Sequence, residues 1–284
     1  MIDYKKPIPK IEFLSNKLPV AEPSDEPMVL MNDRFVCHSW YYDWPETNGT
    51  PLPGSSPNIL VRKTVFEMLE KAEALLPEGY KFFIFDAYRP IPVQQSLWDY
   101  YRAKKVEEMP GASDEEIDYQ TLFCVSFPSY NILLPSLHNT GGAVDLTIID
   151  PDGNRLDMGS DFDEFGERAW TTYYEEGEEG EGVNDTARDN RRMLYNVMIE
   201  AGFTNFPAEW WHFDYGDEKW GLFTDNAPIY GGNLDAEVPE TVPYENMELV
   251  RETNRKQLEK AAEIHALRSE FKEMDEEVAA VMRG

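Results

Sequence analysis

Residues 135–150, PSLHNTGGAVDLTIID, are the stretch on which the reading of the chain turns. From Ala143 onward the run reads as a strand. Gly141 and Gly142 break any helix between His138 and Asp145, so the segment is read as loop, tight turn and strand entry. In that geometry an imidazole and a carboxylate seven residues apart can converge. Taken alone, such a pair reads as an ordinary turn histidine beside a strand.

A second stretch, EWWHFDYG, carries Glu209, His212 and Asp214 after Pro207. On a regular strand, residues three apart point to opposite faces, so Glu209 and His212 share a site only through a bulge or a bend. Together the two stretches say more than either does separately. Two histidines and one aspartate are a complete protein ligand set for catalytic zinc, whose fourth position is kept for water. A carboxylate outside that set is the expected general base, and Glu209 fits the role. Asp214 competes for both jobs and is read as orienting an imidazole. Arg89, in FDAYRP at the end of a buried strand, is the candidate cation for an oxyanion, with Asp86 able to hold it by a bidentate pair. A structural salt bridge is the alternative reading of that pair.

Composition sets the class. The chain has 284 residues, 42% hydrophobic and 13% aromatic, enough to bury a core. Its formal charge of -28 argues against nucleic acid and against anionic lipid as partners. No stretch has the length of a transmembrane span, and the N-terminal residues lack a signal-peptide core, so the expectation is a cytoplasmic protein. Cys37 and Cys124 are too few for a disulfide framework and not spaced as a zinc knuckle, and are read as reduced and structural.

Residues up to about Pro57 look like loops and short strands. A helix follows, with Thr64 and Glu67 at capping-box spacing and Val65, Met68, Leu69, Ala72, Leu75 and Leu76 on one face. YKFFIFDAY reads as a buried strand, VQQSLWDYYRAKKV as a helix, and ARDNRRMLYNVMIEAGF as another helix with Gly202 as its C-cap. FTNFPAEWWHFDYG is strand-like. YYEEGEEGEGVND is expected to be a mobile acidic loop, and residues 233–284 a linker and an amphipathic helical tail. That tail, with Ile264, Leu267, Phe271, Met274, Val278 and Val281 spaced by threes and fours, is either an arm on the domain or a contact between subunits of a homo-oligomer. His38 is expected to pack among aromatics and His265 to face solvent.

In order along the chain, DAYRP, SLHNTGGAVDLT, MGSDFDEF, NRRMLYNVMIEAGF and EWWHFDYG resemble the signature blocks of the D-alanyl-D-alanine dipeptidases, the VanX type of zinc peptidase. Ser136, His138, Gly141, Ala143 and Asp145 meet the S-x-H-x-x-G-x-A-x-D motif, and Glu209 and His212 meet E-x-x-H. The resemblance implies an α+β fold, a small mainly antiparallel sheet bearing a zinc site, flanked by helices, here with a C-terminal helical extension. It implies a catalytic domain over residues 1–232 and one Zn2+ per chain held by His138, Asp145 and His212. It further implies that Glu209 moves a proton from water to the leaving amine and that Arg89 stabilises the tetrahedral intermediate. The dipeptide ammonium is expected at Ser136, Asp163 and a tyrosine, Tyr41 or its neighbour Tyr42. The acidic loop, the tail and the segment between Arg89 and Ser136 depart from the family pattern.

The activity this implies is hydrolysis of D-alanyl-D-alanine or a similar small D-dipeptide, linked to removal or recycling of a cell-wall precursor. A zinc D,D-carboxypeptidase acting on longer peptides is the second reading, and a non-catalytic zinc-stabilised binding module the third. A serine hydrolase built on Ser136 and His138 is weaker, since the two lie two residues apart without a G-x-S-x-G elbow.

Overall fold

Residues 143–149, AVDLTII, form the central strand of a five-stranded sheet, and all seven are buried. The computed structural model describes residues 2–12, 14, 21, 24–130, 133, 135–175 and 184–233. Along the chain the strands are β1 (Met28–Leu30), β2 (Val36–Cys37), β3 (Leu60–Arg62), β4 (Lys81–Asp86), β5 (Ala143–Ile149), β6 (Thr204–Asn205) and β7 (His212–Asp214). The helices are α1 (Lys63–Glu73), α2 (Ile91–Glu108), α3 (Asp114–Thr121), the single turn α4 (Leu137–Thr140), α5 (Asp185–Glu200) and α6 (Glu218–Thr224). The large sheet runs β2-β4-β5-β7-β6, antiparallel throughout except for the parallel pair β2–β4, and β1 pairs with β3 in a small antiparallel ribbon. The α+β expectation of a small, mainly antiparallel sheet with helices around it matches this arrangement.

Alternation along β5 divides its residues between two environments. Val144, Leu146 and Ile148 join the main core with Val65, Met68 and Leu69 of α1 and Leu194, Val197 and Met198 of α5. Asp145 and Thr147 belong to the opposite face. A second, smaller core of Tyr41, Trp44, Leu52, Val93, Leu97, Trp98 and Val125 anchors α2.

Several local expectations are corrected. Thr64 does not cap α1: the helix continues directly from β3 with Arg62 at the N-cap and no side-chain cap bond. Its first amides are satisfied from another segment, Lys63 N–H donating to the Pro27 carbonyl and Thr64 N–H to Glu26 Oε1. The capping box in the structure is Ser113–Glu116, at the start of α3, a helix the sequence reading passed over. The glycine pair does not keep His138 out of a helix. His138 lies in the turn α4, which Gly141 ends at φ 74°. The next glycine is required by packing, since a Cβ at Gly142 would lie 2.4 Å from the Tyr215 carbonyl oxygen. The stretch from Phe203 to Gly216 is two short strands, β6 and β7, separated by a bend that holds Glu209. The acidic residues 176–183, the tail beyond Asn233 and His265 lie outside the described residues.

One buried cation organises the segment that reaches the cleft. Arg191 of α5 donates from Nε to the Met158 carbonyl (2.7 Å), from Nη1 to Trp170 (2.5 Å) and from Nη2 to Arg168 (2.6 Å). Its guanidinium lies 4.7 Å from the centre of the Tyr174 ring. Carbonyls in this loop have no regular ladder to bond to, and a five-donor planar head satisfies three of them at once. Arg191→Met is therefore expected to lower stability by about 3 kcal/mol in urea titration, because it strips a charged donor from three loop carbonyls, the buried Met158 carbonyl among them. A loss within experimental error of zero contradicts this role.

Candidate metal centre and substrate cleft

Sheet register brings the site together. Asp145 of β5 stands directly opposite His212 of β7 and, on the other side, opposite Asp86 of β4, where the register shifts between Ile84 and Asp86. The irregularity places one extra β4 residue, Phe85, between the paired positions and so aligns Asp86 with Asp145. His138 comes from α4, whose backbone is tied to the end of β4: Arg89 N–H donates to the His138 carbonyl (3.1 Å).

One donor atom each from His138, Asp145 and His212 lies within 4.8 Å of the others, and all three residues are buried. His138 Nδ1–H donates to the Ala87 carbonyl at 2.7 Å, which leaves Nε2 with its lone pair 3.3 Å from Asp145 Oδ2. His212 presents Nδ1 to Asp145 Oδ1 at 3.0 Å, while its Nε2–H donates to Asp214 Oδ1 at 2.7 Å. Each imidazole is thus held from behind by an oxygen and offers its other nitrogen to a common point. Two imidazole nitrogens and a carboxylate oxygen, with their rear contacts in place, suit Zn2+.

Charge within the cluster is balanced locally. Burial would raise Asp145, but His138 and His212 override it and hold the carboxyl below the usual range. Burial would lower His212, yet Asp214 and Asp145 push it well above the ordinary histidine value. Asp217 is pushed well above the usual carboxyl range by burial and by the charge on Asp214, whereas His212 outweighs burial and holds Asp214 below that range. Asp217 also caps α6 by accepting the Trp220 N–H at 2.9 Å.

Arg89 is buried against the same cluster. Its Nε and Nη2 both approach a single oxygen, Asp86 Oδ2, at 2.8 and 2.7 Å, in place of the two-oxygen fork expected from the sequence. Nη1 donates to Gln94 Oε1 (3.0 Å), and Nη2 lies 3.7 Å from Asp145 Oδ2. Gln94 completes the grip, so the second Asp86 oxygen is not needed. Burial acts to lower Arg89, but Tyr41, Asp86 and Asp145 together keep its pKa above the normal arginine value.

Tyr41 is buried and lines the cleft, while Tyr42 is exposed. The Tyr41 ring lies 4.7 Å beneath the Arg89 guanidinium, and its hydroxyl accepts from Arg89 Nη2 (3.3 Å) and donates to Asp163 Oδ2 (3.1 Å). Asp163 adopts φ 61°, a left-handed conformation that aspartate tolerates better than most residues and that recurs at functional sites. Burial pushes its carboxyl up to about 8, against the pull of Arg89. Glu209 is also raised, first by burial, with His212 opposing, and its Oε2 is 3.7 Å from His212 Nδ1.

Tyr41, Arg89, His138, Asp145, Asp163, Glu209 and His212 all line one small cavity, of about 60 Å3. Ser136 does not: its hydroxyl is buried without a hydrogen-bond partner, at the N-cap of α4. Sequence reasoning missed Tyr101, Cys124, Ser126, Phe165 and Lys219, which complete the wall together with Leu97, Val125 and Trp211. Cys124, read as merely structural, is half-buried there, with its thiol raised by burial. His38 packs edge-on against Trp40 and Phe83. No described helix is long and apolar enough to cross a membrane.

An α+β fold with a buried His–Asp–His cluster, a half-buried glutamate beside it and an anchored arginine has the equipment of a zinc metallopeptidase. Residues 38–230 match the family model of the M15 peptidases, described as D-Ala-D-Ala dipeptidase. The chain belongs to this family and is a zinc metallopeptidase. It is 33% identical over 186 residues to the D-alanyl-D-alanine dipeptidase of Synechocystis sp., covering 61% of this chain and 75% of that one. Similarity to the Escherichia coli enzyme of the same name is 31% over 158 residues (55% and 66% covered), and to that of Enterococcus faecium 26% over 183 residues (63% and 85%). Among solved structures, a variant of the vancomycin-resistance D,D-pentapeptidase VanY in complex with Zn(II) overlaps 58% of this chain and 78% of its own at 18% identity and TM-score 0.36. VanYB in complex with D-alanine-D-alanine overlaps 60% and 83% at 17% identity, also with TM-score 0.36.

The raised Asp163 carboxyl has a measurable sign. Unfolded it ionises near 3.8 and folded near 8, so between those values the folded state holds the extra proton. This contribution to stability is complete below the lower value and is lost as pH rises through the upper one. In metal-stripped protein, carbon-detected NMR is expected to show Asp163 titrating near pH 8, and Asp163→Asn to flatten the fall in stability across that window. A midpoint near 4 contradicts the burial argument.

Proposed function

We propose that this protein hydrolyses D-alanyl-D-alanine, or a similarly small D-dipeptide, at a zinc centre held by His138, Asp145 and His212. Residues 1–232 form the catalytic domain in this reading. The observation that carries it is the placement of two raised carboxyls, Glu209 and Asp163, at one small cavity beside the cluster. Zinc, when bound, supplies Lewis acidity toward the scissile carbonyl and lowers the pKa of water.

Glu209 lies close to His212 but has its own carboxyl free to act as base. Burial raises its affinity for a proton, which suits a group that must take one from water and release it to the departing amine. Arg89 contributes a fixed positive charge. Asp86 and Gln94 hold its guanidinium in advance, so little reorganisation is needed when negative charge develops on the carbonyl oxygen. At the other end, Asp163 and Tyr41 receive the dipeptide ammonium. An ammonium beside Asp163 supplies the opposite charge that burial withholds, so binding drives ionisation of that carboxyl.

A substrate extended beyond its amino end would put an uncharged amide against Asp163, in a cavity walled by Tyr101 and Phe165. This favours a dipeptidase over a carboxypeptidase acting on longer peptides. The family relationship supports a role in removing or recycling a cell-wall precursor, and we place that role in the cytoplasm.

Glu209→Ala is expected to bind one zinc per chain, as measured by metal analysis, while kcat for D-alanyl-D-alanine falls at least about 100-fold. Wild-type protein is expected to leave N-acetyl-D-alanyl-D-alanine intact. Near-normal turnover by the variant contradicts the role of Glu209, and efficient cleavage of the acetylated substrate replaces the dipeptidase with a D,D-carboxypeptidase.

A further inference from the structure

The substrate proposed above carries two charges, and the residues discussed so far meet only one of them. Its α-carboxylate, on the far side of the scissile bond from the ammonium, needs a cation that is not already committed. Arg89 is engaged by Asp86 and Gln94. His138 and His212 are engaged at the cluster.

Lys219 is different. It is the second residue of α6, two positions after the cap Asp217, and a short turn through Gly216 at φ 71° brings this helix back beside β6, the partner strand of β7. Its side chain lines the cleft with Glu209 and His212. The ammonium sits 3.2 Å from the centre of the Phe206 ring, a cation–π contact that fixes its position. Phe206 in turn meets the His212 ring at 6.0 Å in an edge arrangement. Among the described residues Lys219 makes no ion pair and no hydrogen bond, in a chain with 54 acidic residues against 26 basic ones. A half-buried ammonium without a carboxylate at such an excess of acids is a charge left open toward the cleft.

Its position relative to the other charges gives a direction. Lys219 acts on Glu209 and Asp214, lowering both, whereas the leading neighbouring charges at Asp163 are Arg89, Asp145 and Glu209. Glu209, Asp163 and Lys219 line the same cleft.

We propose that Lys219 binds the α-carboxylate of the C-terminal residue, so that the dipeptide spans the cleft with its ammonium at Asp163 and Tyr41 and its carboxylate at Lys219. This rests on the dipeptide reading above. It assigns Lys219 to substrate binding, with Phe206 as the platform that holds it.

The test compares D-alanyl-D-alanine with its C-terminal amide, in zinc-loaded wild-type protein and in Lys219→Met, Lys219→Gln and Lys219→Arg. Circular dichroism and zinc content serve as controls for folding. In the wild type, kcat/KM for the free carboxylate is expected to exceed that for the amide by about 10- to 100-fold, the range of one charge-assisted pair. In the methionine and glutamine variants KM for the carboxylate substrate rises by a similar factor and the preference collapses toward one, while arginine restores part of it. Equal loss on both substrates means that Lys219 acts only by tuning Glu209, and overturns the proposal. An unchanged KM for the carboxylate substrate in folded variants overturns it as well. Wild-type protein that cleaves neither substrate overturns the dipeptidase reading and the Lys219 proposal together, an outcome distinct from the other two.

Discussion

Asp145 is the constraint around which the rest is built. It is an ionised carboxylate in the middle of a buried central strand, directly opposite a second acid, Asp86. Like charges facing each other across a ladder destabilise a sheet, and burial enlarges that cost. The structure offsets it with close partners: the Arg89 guanidinium reaches both Asp86 and Asp145, and two imidazoles approach the Asp145 oxygens. Asp86, Asp145 and His212 stand on three adjacent strands and His138 on the turn α4 tied to the end of β4, so the cluster has little freedom to relax, which suits it to a divalent cation.

The Asp163 side of the cleft has a different construction. Asp163 sits on a loop without regular secondary structure, in a left-handed conformation, and depends on others for its position. Arg191 ties the carbonyls at both ends of that loop to α5, and Phe162 stacks on Phe85 of β4 at 4.2 Å. Strands thus hold Asp145 and His212, and a pinned loop holds Asp163. The two meet where Tyr41 touches both Arg89 and Asp163.

Much of this was legible in the sequence, for identifiable reasons. β4 and β5 announce themselves by unbroken apolar runs, and α1 and α5 by apolar residues three and four apart. His138, Asp145, Glu209 and His212 could be grouped because zinc chemistry demands that set of side chains, whatever their separation. What stayed hidden depends on register or on distant partners. The offset that aligns Asp86 with Asp145 leaves no local trace, and neither does the bend that brings Glu209 beside His212. α3 is so rich in charge that its apolar face is weak, although its capping box was visible in SDEE. Ser136 is expected at the ammonium only through the family resemblance; its hydroxyl is buried at the N-cap of α4 without a hydrogen-bond partner. Lys219 gave no signal, since a lone lysine after two acids usually faces solvent.

The account stands on the convergence of His138 Nε2, Asp145 and His212 Nδ1 on one ion. X-ray absorption at the zinc edge, recorded on the purified protein with zinc at one equivalent, tests it directly. The expected spectrum has two imidazole nitrogens and only light oxygen or nitrogen donors, at about 2.0–2.2 Å. Sulfur scattering at about 2.3 Å, pointing to Cys37 or Cys124, contradicts it. So does a spectrum with no imidazole contribution.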